Sequence, residues 1–199
     1  MLSSFRAFLL FRGRPAAVML VAAGMLVGSL LTSPGIGLAA VTPAAVQTRV
    51  VSCDMFAFHP TMSGTNYGRT PAQVLARTGP GGSSTFHCAL GLPNSAVVTK
   101  FQITAADGAS DGEMGACSLR RESLDPATSS GSSSQTMASV PGTGTAAVPG
   151  KVRLTDDTIV FPTVKNGKFG YGVFCELGGK FNAGLIGAAI TYSIDSANG

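Results

Sequence analysis

Residues 108–112 match the G-x-S-x-G pattern of a serine hydrolase nucleophile, with Ser110 at its centre. Such a nucleophile sits on a turn from a strand into a helix, and its histidine comes later in the chain. Here both histidines precede the serine, and the residues after the pattern alternate as they do in a strand. We therefore predict a polar hairpin loop at this position and no catalytic serine.

Three carboxylates lie in or beside the same loop, and their oxygens could hold a calcium ion. They are Asp107, Asp111 and Glu113. An EF-hand would need an oxygen ligand where Ala109 stands and a carboxylate where Ser118 stands. We expect solvated carboxylates and no cofactor, with a looser calcium site as the alternative, and we keep the three residues as binding candidates.

The chain has two histidines, too few for a three-histidine zinc site, which leaves only a mixed site open. His59 precedes Pro60 in an apolar segment, where a hydrogen-bonded structural role is the default. His87 is predicted to lie on the outward face of its strand, away from the protein core, and is a further binding candidate. We assign no metal ligand and no catalytic residue.

A secreted hydrolase remains the alternative function, with a site built from residues that are distant in sequence. It would need a cleft with a carboxylate whose pKa is shifted by burial. That cleft would gather at least two of six residues: Asp107, Asp111, Glu113, Asp156, Glu176 and His87. No spacing singles out a carboxylate pair of the kind that glycosidases use.

Phe174 is the aromatic residue with the clearest potential to bind a ligand. The chain has no tryptophan, the usual stacking surface for sugars. Phe174 alternates with Gly170, Gly172 and Glu176, so it is predicted to lie on the outward face of its strand. Glycines beside an aromatic ring can leave a shallow groove, or they can allow close backbone packing.

The first 40 residues are predicted to form a secretory signal peptide. Three arginines supply its positive start: Arg6, Arg12 and Arg14. The uncharged apolar run 16–31 is shorter than the ~20 residues of a membrane span. Small residues at 37–40 favour cleavage after Ala39 or Ala40, and an uncleaved anchor is the alternative. Residues 41–199 are then expected to form one domain, secreted or associated with the cell envelope.

Removal of this segment changes the charge balance. Three of the 14 basic residues leave with it, so 11 basic and 10 acidic residues remain, a net charge of +1 (11 − 10). Neither this charge nor its scattered distribution indicates a nucleic-acid partner. We expect an unknown extracellular ligand or surface protein as partner, no stable membrane insertion after cleavage, and the option of an oligomer.

All four cysteines lie after the signal, and an even number in an exported chain indicates disulfides. They are Cys53, Cys88, Cys117 and Cys175. Three pairings are open. Alternation points Cys117 and Cys175 into the core, which favours a bond between them, worth roughly 4 kcal/mol on the chain-entropy model. Cys53 would then pair with Cys88.

Apolar and polar residues alternate with a period of two in several segments, as in half-buried strands. In 97–105 the predicted inward residues are Val97, Phe101, Ile103 and Ala105; in 186–194 they are Ile186, Ala188, Ile190, Tyr192 and Ile194. A short helix is predicted from Thr70-Pro71 to Arg77, and a type I′ hairpin at Asn166-Gly167. The Ser- and Gly-rich stretch 125–150 is interpreted as a surface loop with a strand at 137–140.

Four strings together resemble a loose group of exported, mostly uncharacterised bacterial proteins that look like single β-sandwich domains. They are Leu92-Pro-Asn-Ser-Ala-Val-Val-Thr99, Cys117-Ser-Leu-Arg-Arg121, Met137-Ala-Ser-Val140 and Leu185-Ile-Gly-Ala-Ala-Ile-Thr-Tyr192. The resemblance spans roughly residues 53–194 and implies export and fold, without catalytic residues.

The prediction is therefore an all-β, antiparallel two-sheet sandwich of jelly-roll type, with about eight strands and two disulfides. Its expected function is non-enzymatic: binding, or assembly at a surface through loops, an edge strand or one sheet face.

Overall fold

The computed structural model describes residues 45–69, 75–78, 82–107, 114–125, 134–143, 150–178 and 183–195, except for the side chains of Arg77 and Asp107. The predicted signal peptide, residues 1–40, lies outside this part. So do the 108–112 loop with Asp111, and Glu113. Among the residues described, no helix is long and apolar enough to cross a membrane.

The described strands form two antiparallel sheets. The first has six strands: β1 (Val46–Asp54), β3 (Tyr67–Arg69), β4 (Leu75–Arg77), β6 (Val97–Asp107), β9 (Gly150–Asp156) and β11 (Ala183–Asp195). The second has five: β2 (His59–Pro60), β5 (Ser84–Leu90), β7 (Met114–Ser123), β8 (Ser134–Val140) and β10 (Phe169–Leu177). The strand predicted at 137–140 is confirmed as part of β8.

The eight longer strands are connected as in a jelly roll. Their order is β1-β11-β6-β9 in one sheet and β5-β10-β7-β8 in the other. Successive strands along the chain therefore pass repeatedly from one sheet to the other, as two interlocked Greek keys require. The predicted all-β jelly-roll sandwich is confirmed.

The interior is filled by inward side chains of both sheets, which alternate with outward ones along each strand. Phe101 and Ile103 of β6 and Val173 and Leu177 of β10 belong to one continuous buried cluster. Tyr192 packs inward, as predicted, and so does Tyr171, whose hydroxyl accepts a hydrogen bond from the Lys165 backbone N–H at 2.7 Å.

Two predicted inward positions are wrong because strand pairing shifts at irregularities. Val97 is exposed and Val98 is buried in its place, since the β6–β11 register shifts beside Thr191. Ile186 falls at a second shift, between Leu185 and Gly187, and is only half-buried. A bulge adds one residue and so reverses which side chains face inward beyond it.

Both disulfides have the favoured pairing. Cys53 of β1 bonds to Cys88 of β5 and links the two sheets. Cys117 of β7 bonds to Cys175 of β10, its direct partner across the second sheet. The inward direction predicted for Cys117 and Cys175 is confirmed, since neither is exposed.

Two local predictions are wrong. Residues 75–77 form β4 rather than the end of the predicted helix, because Leu75 pairs with Leu185 and is buried; residues 70–74 of that prediction lie outside the described residues. Asn166-Gly167 lies in a turn closed by a 2.9 Å bond from Lys168 N to Lys165 O, and neither residue has the positive φ of a type I′ turn. That turn does not join paired strands, since β9 and β10 belong to different sheets.

Candidate functional site

Phe174 lies near the centre of the outward face of the five-stranded sheet. In β10 the side chains of Tyr171, Val173 and Cys175 are buried, so those between them point away from the core. Phe174 is paired with His87 of β5 on one side and with Ser118 of β7 on the other. We call this surface the Phe174 face; its outward residues include Thr85, His87, Ser118, Arg120, Phe174 and Glu176.

A histidine ring and a guanidinium flank the Phe174 ring. The His87 ring is near-parallel to it, with ring centroids 6.0 Å apart and planes 25° apart. The Arg120 guanidinium carbon lies 5.0 Å from the ring centroid, within the range of a cation–π contact. Arg120 Nε also donates to Ser118 Oγ at 2.8 Å, which holds the guanidinium in place.

Gly172 explains how the ring lies so close to the sheet. A Cβ at this position would be 3.3 Å from Phe174 Cε2 and 3.2 Å from the Cys88 carbonyl oxygen. The ring therefore packs closely over the glycine, which is one of the two outcomes expected from the sequence. The other outcome is present as well, because open depressions remain on both sides of the ring.

These two depressions share Phe174 as a wall. The larger, about 310 Å³, lies toward the Glu176 end of β10 and is lined mainly by polar residues: Thr85, Ser118, Arg120, Thr136, Ser139 and Glu176. The other, about 280 Å³, lies toward Gly170 and includes His87, Ala89 and Glu122 in its lining. Together they place hydroxyls, a guanidinium and carboxylates around one aromatic ring.

Glu176 has one local contact that fixes its position. The Ser83 hydroxyl donates a hydrogen bond to Glu176 Oε1. The carboxylate is exposed and retains further acceptor sites, since each carboxylate can accept about four hydrogen bonds.

The other predicted site residues are placed as follows. The side chain of Asp107 and the whole of Asp111 and Glu113 lie outside the described residues, so both the expected solvated carboxylates and the alternative calcium site stay predictions. His59 is exposed and lies directly opposite His87 across the β2–β5 pair. No local sequence pattern predicts this juxtaposition, because the register of two distant strands cannot be derived from either one alone.

The described members of the hydrolase set do not share a depression. Asp156 accepts hydrogen bonds from the backbone N–H groups of Ser139 and Thr158, both at 2.9 Å, and so joins the ends of β8 and β9. Glu176 and His87 line different depressions. In the part of the chain that the structure covers, no group of three or more histidine, cysteine and carboxylate side chains could hold a metal ion.

Some exposed apolar residues lie on the edge strand β1 and near the ends of other strands. Val46 and Val50 are exposed on β1, which among the described residues pairs only with β11 and is therefore an edge strand of its sheet. At one end of the sandwich, the Arg121 guanidinium lies 3.8 Å from the Phe161 ring centroid and 4.3 Å from that of Phe169. These features suit the surface-assembly hypothesis better than the binding of a small molecule.

Two solved structures are distantly similar to the chain. A xylan-binding module, CBM15, aligns over 73% of this chain and 97% of its own, with 10% identity and a TM-score of 0.44. The cleaved adhesin domain of Lys-gingipain from Porphyromonas gingivalis aligns over 74% and 99%, with 11% identity and a TM-score of 0.37. No family model and no curated protein sequence matches the chain. These scores are too low to indicate a shared function, and the fold assignment rests on the strand order.

Proposed function

We propose that this chain is a non-catalytic, exported binding protein and that its Phe174 face takes a carbohydrate. The observation that carries the proposal is the pair of depressions on either side of one aromatic ring. Export agrees with the two disulfides, which form and persist in oxidising compartments.

The chemistry of the Phe174 face suits a sugar. A pyranose has apolar C–H faces and hydroxyls around its edge, so it binds to a flat apolar surface beside groups that donate and accept hydrogen bonds. The Phe174 ring provides the flat apolar surface. Ser118, Thr136 and Ser139 offer hydroxyls that act in both directions, while Arg120 donates and Glu176 accepts.

The shape of the face favours a chain of sugars over a compact small molecule. Sites for drug-sized molecules are mostly enclosed and apolar. The two depressions here are open and arranged one after the other along β10, and polar residues make up most of the lining of the one beside Glu176. A glycan that runs along β10 could place successive units on the two sides of Phe174.

Phe174→Ala is expected to weaken glycan binding by about tenfold or more. Loss of a central aromatic side chain typically costs more than about 1 kcal/mol of binding free energy, and about 1.4 kcal/mol corresponds to a factor of ten in affinity. Isothermal titration of the purified chain against soluble xylans, β-glucans, mannans, arabinogalactans and chitooligosaccharides gives the affinities. Phe174→Trp keeps a flat ring and should retain binding.

Thr104→Ala is the matched control, since Thr104 is an outward residue of β6 in the opposite sheet. It should bind like the unaltered chain. The proposal fails if no glycan of the panel binds, or if Phe174→Ala binds as tightly as Thr104→Ala.

A further inference from the structure

The fold brings the two histidines of the chain side by side. His59 of β2 is the direct cross-strand partner of His87 of β5. The adjacent cross-strand pair is Pro60 and Phe86. Phe86 is completely buried, so its neighbour His87 points away from the core. Both imidazoles therefore project from the outward face of the same sheet, on neighbouring strands.

His87 has a ring nitrogen without a partner. Its Nδ1 is shielded from solvent and makes no hydrogen bond. Buried polar atoms are nearly always hydrogen-bonded, and an exception can mark a position where an ion binds. The near-parallel Phe174 ring limits the orientations open to the His87 ring. The side chain therefore loses less conformational entropy when an ion binds.

The spacing of the pair suits chelation. Directly opposite residues of an antiparallel pair have Cβ atoms roughly 4.5–5.5 Å apart. Metal–imidazole bonds of about 2.0–2.1 Å place two ligating nitrogens about 3 Å apart on one ion. The exposed His59 ring can turn toward His87 to reach that separation.

We propose that His59 and His87 together chelate one divalent transition-metal ion of the copper, nickel and zinc group. Imidazole nitrogen suits these ions, whereas calcium and magnesium require oxygen ligands. All four cysteines are in disulfides, so thiolates do not compete as ligands. The two histidines supply two of the coordination positions of the metal ion, and water molecules occupy the others. This site does not depend on carbohydrate binding.

Titration of the untagged chain with Cu²⁺, Ni²⁺ and Zn²⁺, each alone, tests the proposal by calorimetry. One ion should bind per chain, with Cu²⁺ tightest, as the Irving–Williams order requires. His59→Ala and His87→Ala should each weaken binding about tenfold or more, because loss of a residue that only supports a metal ligand already costs about 10- to 100-fold. Ni²⁺ should also raise the melting temperature of the unaltered chain, because an ion that binds only the folded state stabilises it.

His59 is exposed, so His59→Ala should fold normally even if the loss of the His87 ring disturbs its neighbours. Thr104→Ala, on the opposite sheet, should keep the affinity of the unaltered chain. Nitrogen hyperfine coupling from two imidazoles in the Cu²⁺ electron paramagnetic resonance spectrum would support the pair. The proposal is overturned if the unaltered chain binds none of the three ions, or if His59→Ala binds them equally well.

Discussion

Replacement of both Cys117 and Cys175 by alanine is expected to lower the free energy of unfolding by about 4 kcal/mol. The bond closes a loop with a sequence separation of 58, and on the chain-entropy model a loop of that size restricts the unfolded state by about this amount. Domains of this kind are stable by only about 5–15 kcal/mol, so the loss is a large fraction of the total. Urea unfolding followed by circular dichroism measures it.

The Cys53→Ala, Cys88→Ala double variant is the natural comparison. Its loop is shorter, with a separation of 35, so the same model gives a slightly smaller loss, still about 4 kcal/mol. Both variants should show a larger dependence of unfolding on urea, because an unfolded chain without the bond exposes more surface. A loss below about 1 kcal/mol for both would contradict the role given to the disulfides here.

Phe101→Ala is expected to destabilise the sandwich by about 3–5 kcal/mol. Phe101 is fully buried in β6 and paired with Ile190 of β11 at the centre of the six-stranded sheet. The substitution removes apolar contact area and leaves a cavity that the two surrounding sheets cannot close. Thermal and urea unfolding of the purified variant give the value.

Gln102→Ala tests the alternation that places Phe101 inside. Gln102 is the next residue of β6 but points outward, where its side-chain amide donates to Thr155 Oγ1 at 3.1 Å. Loss of that exposed bond should change the stability by about 1 kcal/mol at most. Similar losses for both variants would mean that the predicted inward and outward faces of β6 are not distinct.

Much of the fold could be predicted because period-two alternation determines strand faces locally. Alternation with their neighbours alone predicts that Phe101, Cys117 and Cys175 point inward, and all three are buried. The positions that failed depend on long-range pairing. Val97 and Ile186 lie at register shifts, which arise from the partner strand and leave no signal in the segment itself.

The predicted helix at 70–77 shows how tertiary contacts override local propensity. Thr70-Pro71 has the composition of a helix start, yet Leu75 is buried and pairs with Leu185 of β11. Burial of a leucine against a sheet is worth more than a helix cap, which contributes about 1 kcal/mol. The capping signal alone could not reveal this competing partner.

The candidate site divides in the same way. Phe174 could be found from sequence, because alternation with Gly172 and Glu176 shows its outward direction. The positions of Arg120 and His59 could not, since both depend on the pairing of strands that lie far apart in the chain. The neighbours of the candidate residue Phe174, and the pairing of the two histidines, therefore follow only from the sheet order.

The most direct test of the account is a nuclear magnetic resonance map of the chain during titration with a glycan that binds. The account predicts that the largest shifts of backbone and aromatic signals occur on β5, β7 and β10, centred on Phe174, His87 and Arg120. Shifts centred on β6 and β9 of the opposite sheet, with Phe174 unaffected, would contradict it.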